Sequence, residues 1–421
     1  MHRALIFAFL YSILAKCLCE EPANFKGDRV VRATSTNKDQ LQFLARLEDN
    51  DDLDLDFWTH PSHVGGGVDI HVKASNYPRL AKLLNSQGII FTILIPDVQG
   101  LMDKENTPPR TARAVGFDYQ RYNRLAQIEN EMQRLASAYP HLAKMVVDIG
   151  KSYEGRTLSA LKISSNPGAG RKVFFINCGI HAREWVTPAT CMIMIRQMLN
   201  NYGKDASVTA MVDKMDWVIM PVFNVDGYEF SHTGNRMWRK TRSPNPGSSC
   251  IGTDPNRNWN AHWGGVGTSS NPCMDTYHGR RPFSEIEVLN VARYLYKNRH
   301  NLIGYMDIHA YSQLWMTPWG YTRTLPKDYN EMERVSNIAV KALYDAGYRT
   351  TYRVGPSSII IYANSGGTKD WVYKTLGTTY TFALELRDKG TYGFLLPADQ
   401  IMPTGMETFA AIKAMAAALN I

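Results

Sequence analysis

Two histidines and a glutamate have the residue types and spacing of a metal site. His181 and Glu184 stand three residues apart in HAREW, shortly after the apolar stretch 173–176. His309 ends another apolar stretch, in GYMDIHAYS. Two imidazole nitrogens and one carboxylate oxygen form a known catalytic zinc set, whose fourth position stays open. Either histidine alone could be an ordinary core or surface residue, so the hypothesis depends on the three residues together.

Three more polar residues could complete such a site. Glu385 lies among apolar neighbours in the stretch YTFALEL. A carboxylate there is either a paired core group or a catalytic base with a raised pKa. Asn256 and Arg257 are adjacent in a loop rich in Gly, Pro and Asn, and an arginine beside an asparagine suits carboxylate binding through parallel hydrogen bonds.

The segments that must position these residues alternate between strand-like and helix-like patterns. This alternation predicts an α/β domain with a mostly parallel or mixed sheet flanked by helices. Ligand sites of such folds lie beyond the carboxyl ends of the strands, where the residues above fall. The predicted strands are 173–176, 217–222, 303–308 and 380–386, and the predicted helices are 117–139, 188–201, 284–297 and 329–346.

The first 113 residues read differently from the rest. Residues 1–19 have the short basic start and apolar core of a signal peptide, which predicts secretion. Residues 20–113 indicate a small α+β unit, with strands at 68–72 and 89–95 and a helix at 77–85. The acidic run 48–56 is interpreted as a solvated surface loop. The segment 103–113 (DKENTPPRTAR) is expected to be an exposed linker open to a trypsin-like protease at Arg110 or Arg113.

Composition excludes several other classes of protein. The chain has 421 residues and a net charge of +8, but no basic cluster interleaved with aromatics, so nucleic-acid binding is not expected. No later stretch is long and apolar enough for a membrane span.

Four of the six cysteines follow the signal segment and allow two disulfides in three connectivities. Proximity in sequence favours Cys178–Cys191 and Cys250–Cys273.

Several motifs together resemble one family, the pancreatic-type A/B metallocarboxypeptidases. The resemblance runs in order from about residue 117 to the C-terminus, and residues 20–113 look like the family's activation domain, with weaker similarity. It implies a secreted, monomeric zymogen, with digestion as a candidate role, that removes C-terminal residues from peptides. It also implies a small open-sandwich activation domain before the catalytic domain at 114–421. The motifs are HAREW, NRMWRKTRS, DPNRNW, YHG, DIHAYSQLWMTPWGY, IYANSGGTKDW and ELRDKGTYGFLLPADQI.

The resemblance also implies a role for particular residues at the metal. His181, Glu184 and His309 would hold one Zn²⁺, with Asp254 orienting the first histidine. Glu385 would be the general base for the water that zinc activates.

A second group of implied roles concerns the substrate. Arg239 would stabilise the developing oxyanion. Asn256 and Arg257 would bind the terminal carboxylate, Arg183 would be an outer carboxylate contact, and Tyr362 would close over the substrate. The same family has a disulfide like Cys250–Cys273, and some members have one like Cys178–Cys191.

One residue departs from the family pattern and predicts a specificity. Lys369 stands where the family has an apolar residue or an aspartate at the pocket for the last side chain. An ammonium there predicts a preference for C-terminal Glu or Asp. The alternative is that Lys369 turns to solvent or pairs with a local acid, which leaves a broad or apolar-preferring enzyme.

Two other functions are compatible with parts of the sequence. A non-catalytic binding relative would be expected to lack a metal ligand or the base, and this chain has both. A zinc amidohydrolase acting on small acylated amino acids could share the HxxE pattern. The intact Asn256, Arg257 and Tyr362 argue against it.

Overall fold

The computed structural model describes residues 22–48, 50–105, 116–168 and 170–421. It contains a four-stranded sheet and an eight-stranded sheet, each with helices packed against it. The predicted signal segment 1–19, Arg110 and Arg113 lie outside the described residues. Of the predicted linker, residues 103–105 are described, and they form the last turn of a helix.

The N-terminal unit is an antiparallel sheet with strand order β2-β3-β1-β4, covered on one face by helices. Alternation along β1 explains the two faces: Val31 packs with Leu44 and Leu80 of the helices, whereas Val30 joins the core of the C-terminal domain. The elements are β1 (Arg29–Thr34), α1 (Lys38–Glu48), β2 (Asp56–Phe57), β3 (Gly67–Val72), α2 (Tyr77–Ser86), β4 (Ile90–Ile95) and α3 (Val98–Glu105).

The C-terminal domain has a mixed sheet flanked by helices. Its strands are β5 (Ala143–Lys151), β6 (Thr157–Ile163), β7 (Val173–Cys178), β8 (Asp216–Met220), β9 (Leu302–Ala310), β10 (Leu314–Thr317), β11 (Arg353–Pro356) and β12 (Tyr380–Leu386), in the order β11-β10-β12-β9-β7-β8-β6-β5. Its helices are α4 (Leu125–Ala138), α5 (Val186–Asn201), α6 (Ala206–Lys214), α7 (Val225–Thr233), α8 (Ile286–Lys297), α9 (Tyr329–Asp345), α10 (Ser357–Ile360), α11 (Thr368–Trp371) and α12 (Ile401–Ala418).

The four central strands β8, β7, β9 and β12 are parallel, so their carboxyl ends meet at one edge. They are buried on both faces, as strands covered by helices must be. On one side α12 packs between α5 and α9, and on the other α4 and α8 pack near β5. Large buried side chains such as Phe174, Trp217 and Tyr305 fill the core around this sheet.

The fold confirms the predicted α/β class and the small α+β unit before it. The predicted helix 117–139 is wrong at its start, since α4 begins at Leu125. The side chains of Asp118 and Asn123 accept hydrogen bonds from backbone N–H groups in this stretch, and Asn123 also donates to the carbonyl of Asp118; these bonds compete with a helix. The loop interpretation of 48–56 is also wrong in part, because Leu53 is buried and Asp56 lies in β2.

The structure contains both disulfides favoured by proximity. Cys178–Cys191 joins the end of β7 to α5, and Cys250–Cys273 closes a loop of the C-terminal domain. Within the described residues, no helix combines the length and the apolar character that a bilayer span requires.

Candidate active site

The predicted metal ligands come together at the carboxyl edge of the parallel strands. The candidate donor atoms of His181, Glu184 and His309 all lie within 4.8 Å of one another, and all three residues are buried. His309 Nδ1 lies 3.2 Å from His181 Nδ1 and 3.2 Å from Glu184 Oε2. Burial favours the neutral acid, yet the two imidazoles hold the pKa of Glu184 well below its usual range. In the described part of the chain no other group of His, Cys, Asp or Glu converges in this way.

A tight turn brings the first two ligands back over the sheet. Gly179 follows β7 with φ +64°, in the left-handed region that other residues rarely adopt. A Cβ on Gly179 would also lie 3.2 Å from Pro188 Cγ and 3.3 Å from the carbonyl oxygen of Pro221. The turn therefore needs glycine, and it places His181 and Glu184 just before α5 begins.

Asp254 contacts the first histidine, which the resemblance predicts it to orient. Its Oδ1 lies 3.1 Å from Nε2 of His181, which turns Nδ1 toward the other ligands. Its Oδ2 accepts a hydrogen bond of 2.8 Å from Nη2 of Arg239. Although burial favours the neutral acid, Arg239 and Arg257 hold the pKa of Asp254 well below its usual range. The carboxylate thus stays charged, and it anchors both a metal ligand and the candidate oxyanion residue.

Glu385 lies on β12 directly beside His309 of β9 in the strand register. Its side chain lines the same cavity as His181 and His309 and forms no hydrogen bond or ion pair with the described residues. Burial raises the pKa of Glu385 well above its usual value; Glu184 and Asp307 add to the rise, against the attraction of His309 and Arg239. A carboxylate with a raised pKa and no partner is suited to take and return a proton.

Asn256 and Arg257 also line this cavity. Arg257 is 2% exposed, and its Nε donates to the carbonyl of Gly267 at 2.8 Å. Its Nη2 is buried without a hydrogen-bond partner. Asn256 Oδ1 accepts from the amide of Thr368, so its Nδ2 faces the cavity and lies 3.0 Å from Nε2 of His309. An unpaired guanidinium edge beside an amide is a ready site for a carboxylate.

Lys369 lines the cavity but is not free. Its Nζ donates to Oδ1 of Asp370 at 2.6 Å, and both side chains are buried. Asp370 is held in turn by the amide of Gly320 at 2.7 Å. The local-acid alternative is therefore correct about the pairing. The apolar walls of the cavity come from Met316, Ile361 and Ala383.

The N-terminal unit covers the cleft through polar contacts. Asp56 accepts from Nη1 of the buried Arg183 at 2.9 and 3.0 Å. His60 packs edge-on against Tyr362, with ring centroids 4.4 Å apart. Both contacts occupy residues that the resemblance assigned to the substrate, and Asp56 presents Arg183 with the kind of group it would bind.

Other functional contacts were missed by sequence reasoning. Glu105, at the end of α3, forms a buried ion pair of 2.6 Å with Arg236 of the C-terminal domain. Asp307 lies next to His309 on the cavity wall. Asp307 could have been found because it is a charged residue inside an apolar strand. No local pattern marks Glu105 or Asp56, since their partners are more than 120 residues away.

These features define a class: a metallohydrolase built on the carboxyl edge of a mixed α/β sheet. Its donor set of two imidazoles and one carboxylate, with an open side toward Glu385, fits a catalytic zinc ion.

Comparison with known proteins gives the family. A family profile described as "Zinc carboxypeptidase" matches residues 128–411, and one described as "Carboxypeptidase activation peptide" matches residues 31–105. This chain belongs to the zinc carboxypeptidases, and it carries the activation peptide of a zymogen.

Individual relatives are similar to this chain over nearly its whole length. Carboxypeptidase A2 of Rattus norvegicus is 41% identical over 408 residues, which is 96% of each chain. The crystal structure of thrombin activatable fibrinolysis inhibitor has a TM-score of 0.85 at 35% identity and covers 93% of this chain and 98% of that one. Carboxypeptidase A from Helicoverpa armigera also gives a TM-score of 0.85, at 26% identity, covering 94% of this chain and 98% of its own.

Proposed function

We propose that this zinc carboxypeptidase is a secreted monomer that a trypsin-like protease activates by cutting near Arg110 or Arg113. The observation that carries the exopeptidase reaction is the unpaired Nη2 of Arg257, which is buried in the same cavity as His309 and Glu385. The backbone of a peptide has a carboxylate only at its C-terminal end. Arg257 and Asn256 therefore select the last residue of the substrate.

The chain's own residues divide the work of hydrolysis. Zinc, when bound by His181, Glu184 and His309, polarises the scissile carbonyl and makes water more acidic. Glu385 accepts a proton from the attacking water and returns it to the leaving amine. Arg239 keeps a fixed positive charge close to the developing oxyanion, which is worth on the order of 3 kcal/mol.

The test of activation uses the full-length zymogen. Limited trypsin treatment should cut between residues 105 and 116 and raise hydrolysis of a peptide with a free C-terminus. The same peptide with an amidated C-terminus should remain uncleaved, because it offers Arg257 no carboxylate. Cleavage at that position with unchanged activity would refute the activation step. Equal hydrolysis of both peptides would refute the role of Arg257.

The second part of the proposal is a preference for C-terminal Glu or Asp. Lys369 is a cationic side chain that lines the cavity together with Ala383 and Met316. An ammonium group has three donors, and Asp370 takes one of those on Lys369. The remaining donors can bind a substrate carboxylate, whereas an apolar side chain would leave them without partners. The gain is roughly 2–3 kcal/mol, or about a hundredfold.

The pair with Asp370 also favours a competing outcome. If the ion pair with Asp370 leaves Lys369 unable to bind the substrate, the apolar residues of the cavity would set the specificity. The enzyme would then accept a broad range of C-terminal residues or prefer apolar ones. Matched peptides ending in Glu, Phe and Arg distinguish the two. We expect Glu to be cleaved fastest, and faster cleavage of Phe or Arg would contradict the acidic preference.

Two variants show whether Lys369 is the cause. Lys369→Met should remove the preference for Glu, and Lys369→Asp should redirect the enzyme toward basic termini. Lys374→Met is the matched control, because Lys374 is an exposed lysine five residues further along.

A non-catalytic binding relative would instead bind zinc and peptide but hydrolyse none of the three substrates.

A further inference from the structure

We propose that Asp307 is a positioning residue for zinc, because it accepts the Nε2 proton of His309 when Nδ1 holds the metal. Asp254 already serves His181 in this way, so each ligating imidazole would have its own carboxylate. The inference rests on the family's zinc, which the donor set fits, and on contacts of this chain's own residues.

The strand places Asp307 where it can reach the imidazole. Asp307 and His309 are two residues apart on β9, so their side chains leave the same face. Oδ2 of Asp307 lies 3.0 Å from Nε2 of His309. Asp307 is fully buried, and burial of a charge without a partner is costly.

The two oxygens of Asp307 are in different situations. Oδ1 accepts a hydrogen bond of 2.7 Å from Nδ2 of Asn177, the residue directly opposite on β7. Oδ2 is buried and has no well-aligned hydrogen bond within the described residues. Oδ2 is therefore open to a hydrogen bond, and Nε2 of His309 lies within reach of it.

Asn256 also lies close to Nε2 of His309, so the protonation of this nitrogen determines whether it can bond to Asn256 or to Asp307. Its Nδ2 also lies 3.0 Å from Nε2 of His309, and an amide NH₂ can only donate. If zinc binds Nδ1 of His309, the ring proton must be on Nε2. This N–H group then has two neighbours, the NH₂ group of Asn256, which is a donor, and the carboxylate of Asp307, which is an acceptor. Zinc loading thus directs Nε2 to Asp307 and leaves the Asn256 amide for the substrate carboxylate.

The test measures zinc binding by the full-length zymogen, through competition with a chromophoric chelator. Asp307→Asn keeps the shape but must point its NH₂ group either at the amide of Asn177 or at Nε2 of His309. We expect zinc affinity to fall by about 10- to 100-fold. Nitrogen NMR of labelled histidine should lose one of two downfield imidazole N–H resonances of the zinc-loaded protein.

A double variant separates positioning from damage to the fold. In Asn177→Asp with Asp307→Asn, the new aspartate accepts from the asparagine NH₂, and the asparagine oxygen faces His309. This swap should recover most of the lost zinc affinity and the missing resonance. If the double variant binds zinc as weakly as Asp307→Asn, the acceptor role is wrong.

One more result would overturn the inference. Asp307 lines the cavity for the last side chain, so Asp307→Asn could change the choice of C-terminal residue alone. Zinc affinity within twofold of the unaltered protein, together with a changed preference among Glu, Phe and Arg peptides, would make Asp307 a pocket wall and not a positioning residue.

Discussion

Two aspartates in this molecule, Asp254 and Asp56, each bind an arginine and a histidine. Asp254 contacts Arg239 and His181. Asp56 contacts Arg183 and lies 3.7 Å from Nδ1 of His71. In both cases burial favours the neutral acid, but the neighbouring cations hold the pKa of the aspartate below its usual range.

The difference lies in where the partners come from. Both partners of Asp254 belong to the C-terminal domain, so the cluster persists whatever happens to the N-terminal unit. Asp56 and His71 belong to the N-terminal unit, whereas Arg183 belongs to the C-terminal domain. We therefore expect Asp254 to be a permanent support for a metal ligand, and Asp56 to be a releasable cover over Arg183, the proposed substrate contact.

We expect the largest loss of activity from a change at Glu385. Glu385→Gln should lower kcat of the activated enzyme by about 10²–10⁴-fold, because the amide cannot take a proton from water. Zinc content, measured by elemental analysis, should stay at one ion per chain, since Glu385 is not in the ligand group. Loss of zinc along with activity would place Glu385 among the ligands.

The second prediction concerns Asp254. Asp254→Asn should weaken zinc binding by about 10–100-fold, because Nε2 of His181 loses its charged acceptor. Both zymogen and activated enzyme should be affected equally, because none of the Asp254 partners named here is in the N-terminal unit. A much larger loss in one of the two forms would show that the cluster is not permanent.

Asp56→Asn should act with the opposite sign and on the zymogen alone. Loss of the charged contact to Arg183 should raise the peptidase activity of the uncleaved chain by about tenfold, as expected for a hydrogen bond between charged groups. Activity after trypsin treatment should not change. Asp54→Asn is the control, since the exposed Asp54 pairs with Lys73 of its own unit. Equal effects of the two variants would contradict the cover.

The last prediction concerns stability and a buried carboxylate, Glu287, that forms no ion pair within the described residues. Glu287 accepts from the amide of Tyr153 at 2.8 Å, its Oε2 has no partner in the described residues, and burial raises its pKa to about 7. The folded state therefore holds a proton that the unfolded state has released, and stability falls as pH rises from about 4.5 to 7. Glu287→Gln should remove that loss, which is at most about 3 kcal/mol.

Thermal unfolding at pH 5 and pH 8 measures this difference. The variant should unfold at a higher temperature than the unaltered protein at pH 8 and at nearly the same temperature at pH 5. A variant that is less stable at both pH values would mean that Glu287 is charged and paired in the folded chain.

Sequence determined the class of fold and the three metal ligands, because local patterns and residue types carry that information. Apolar segments of strand and helix length predict the elements, and the ends of buried strands predict where His309 and Glu385 lie. The start of α4 was misplaced, since the side-chain hydrogen bonds of Asp118 and Asn123 outweigh helical propensity there.

Only the tertiary structure decided which charges neutralise one another. Lys369 and Asp370 are neighbours in the sequence, but only the structure shows that they pair with each other in the cavity wall and that Lys369 does not turn to solvent. Asp56 reaches Arg183 across 127 residues of chain, and Asp307 meets Asn177 across 130. Such contacts depend on how sheets and domains pack, and electrostatic energy falls off with distance in space, whereas sequence patterns report only neighbours along the chain.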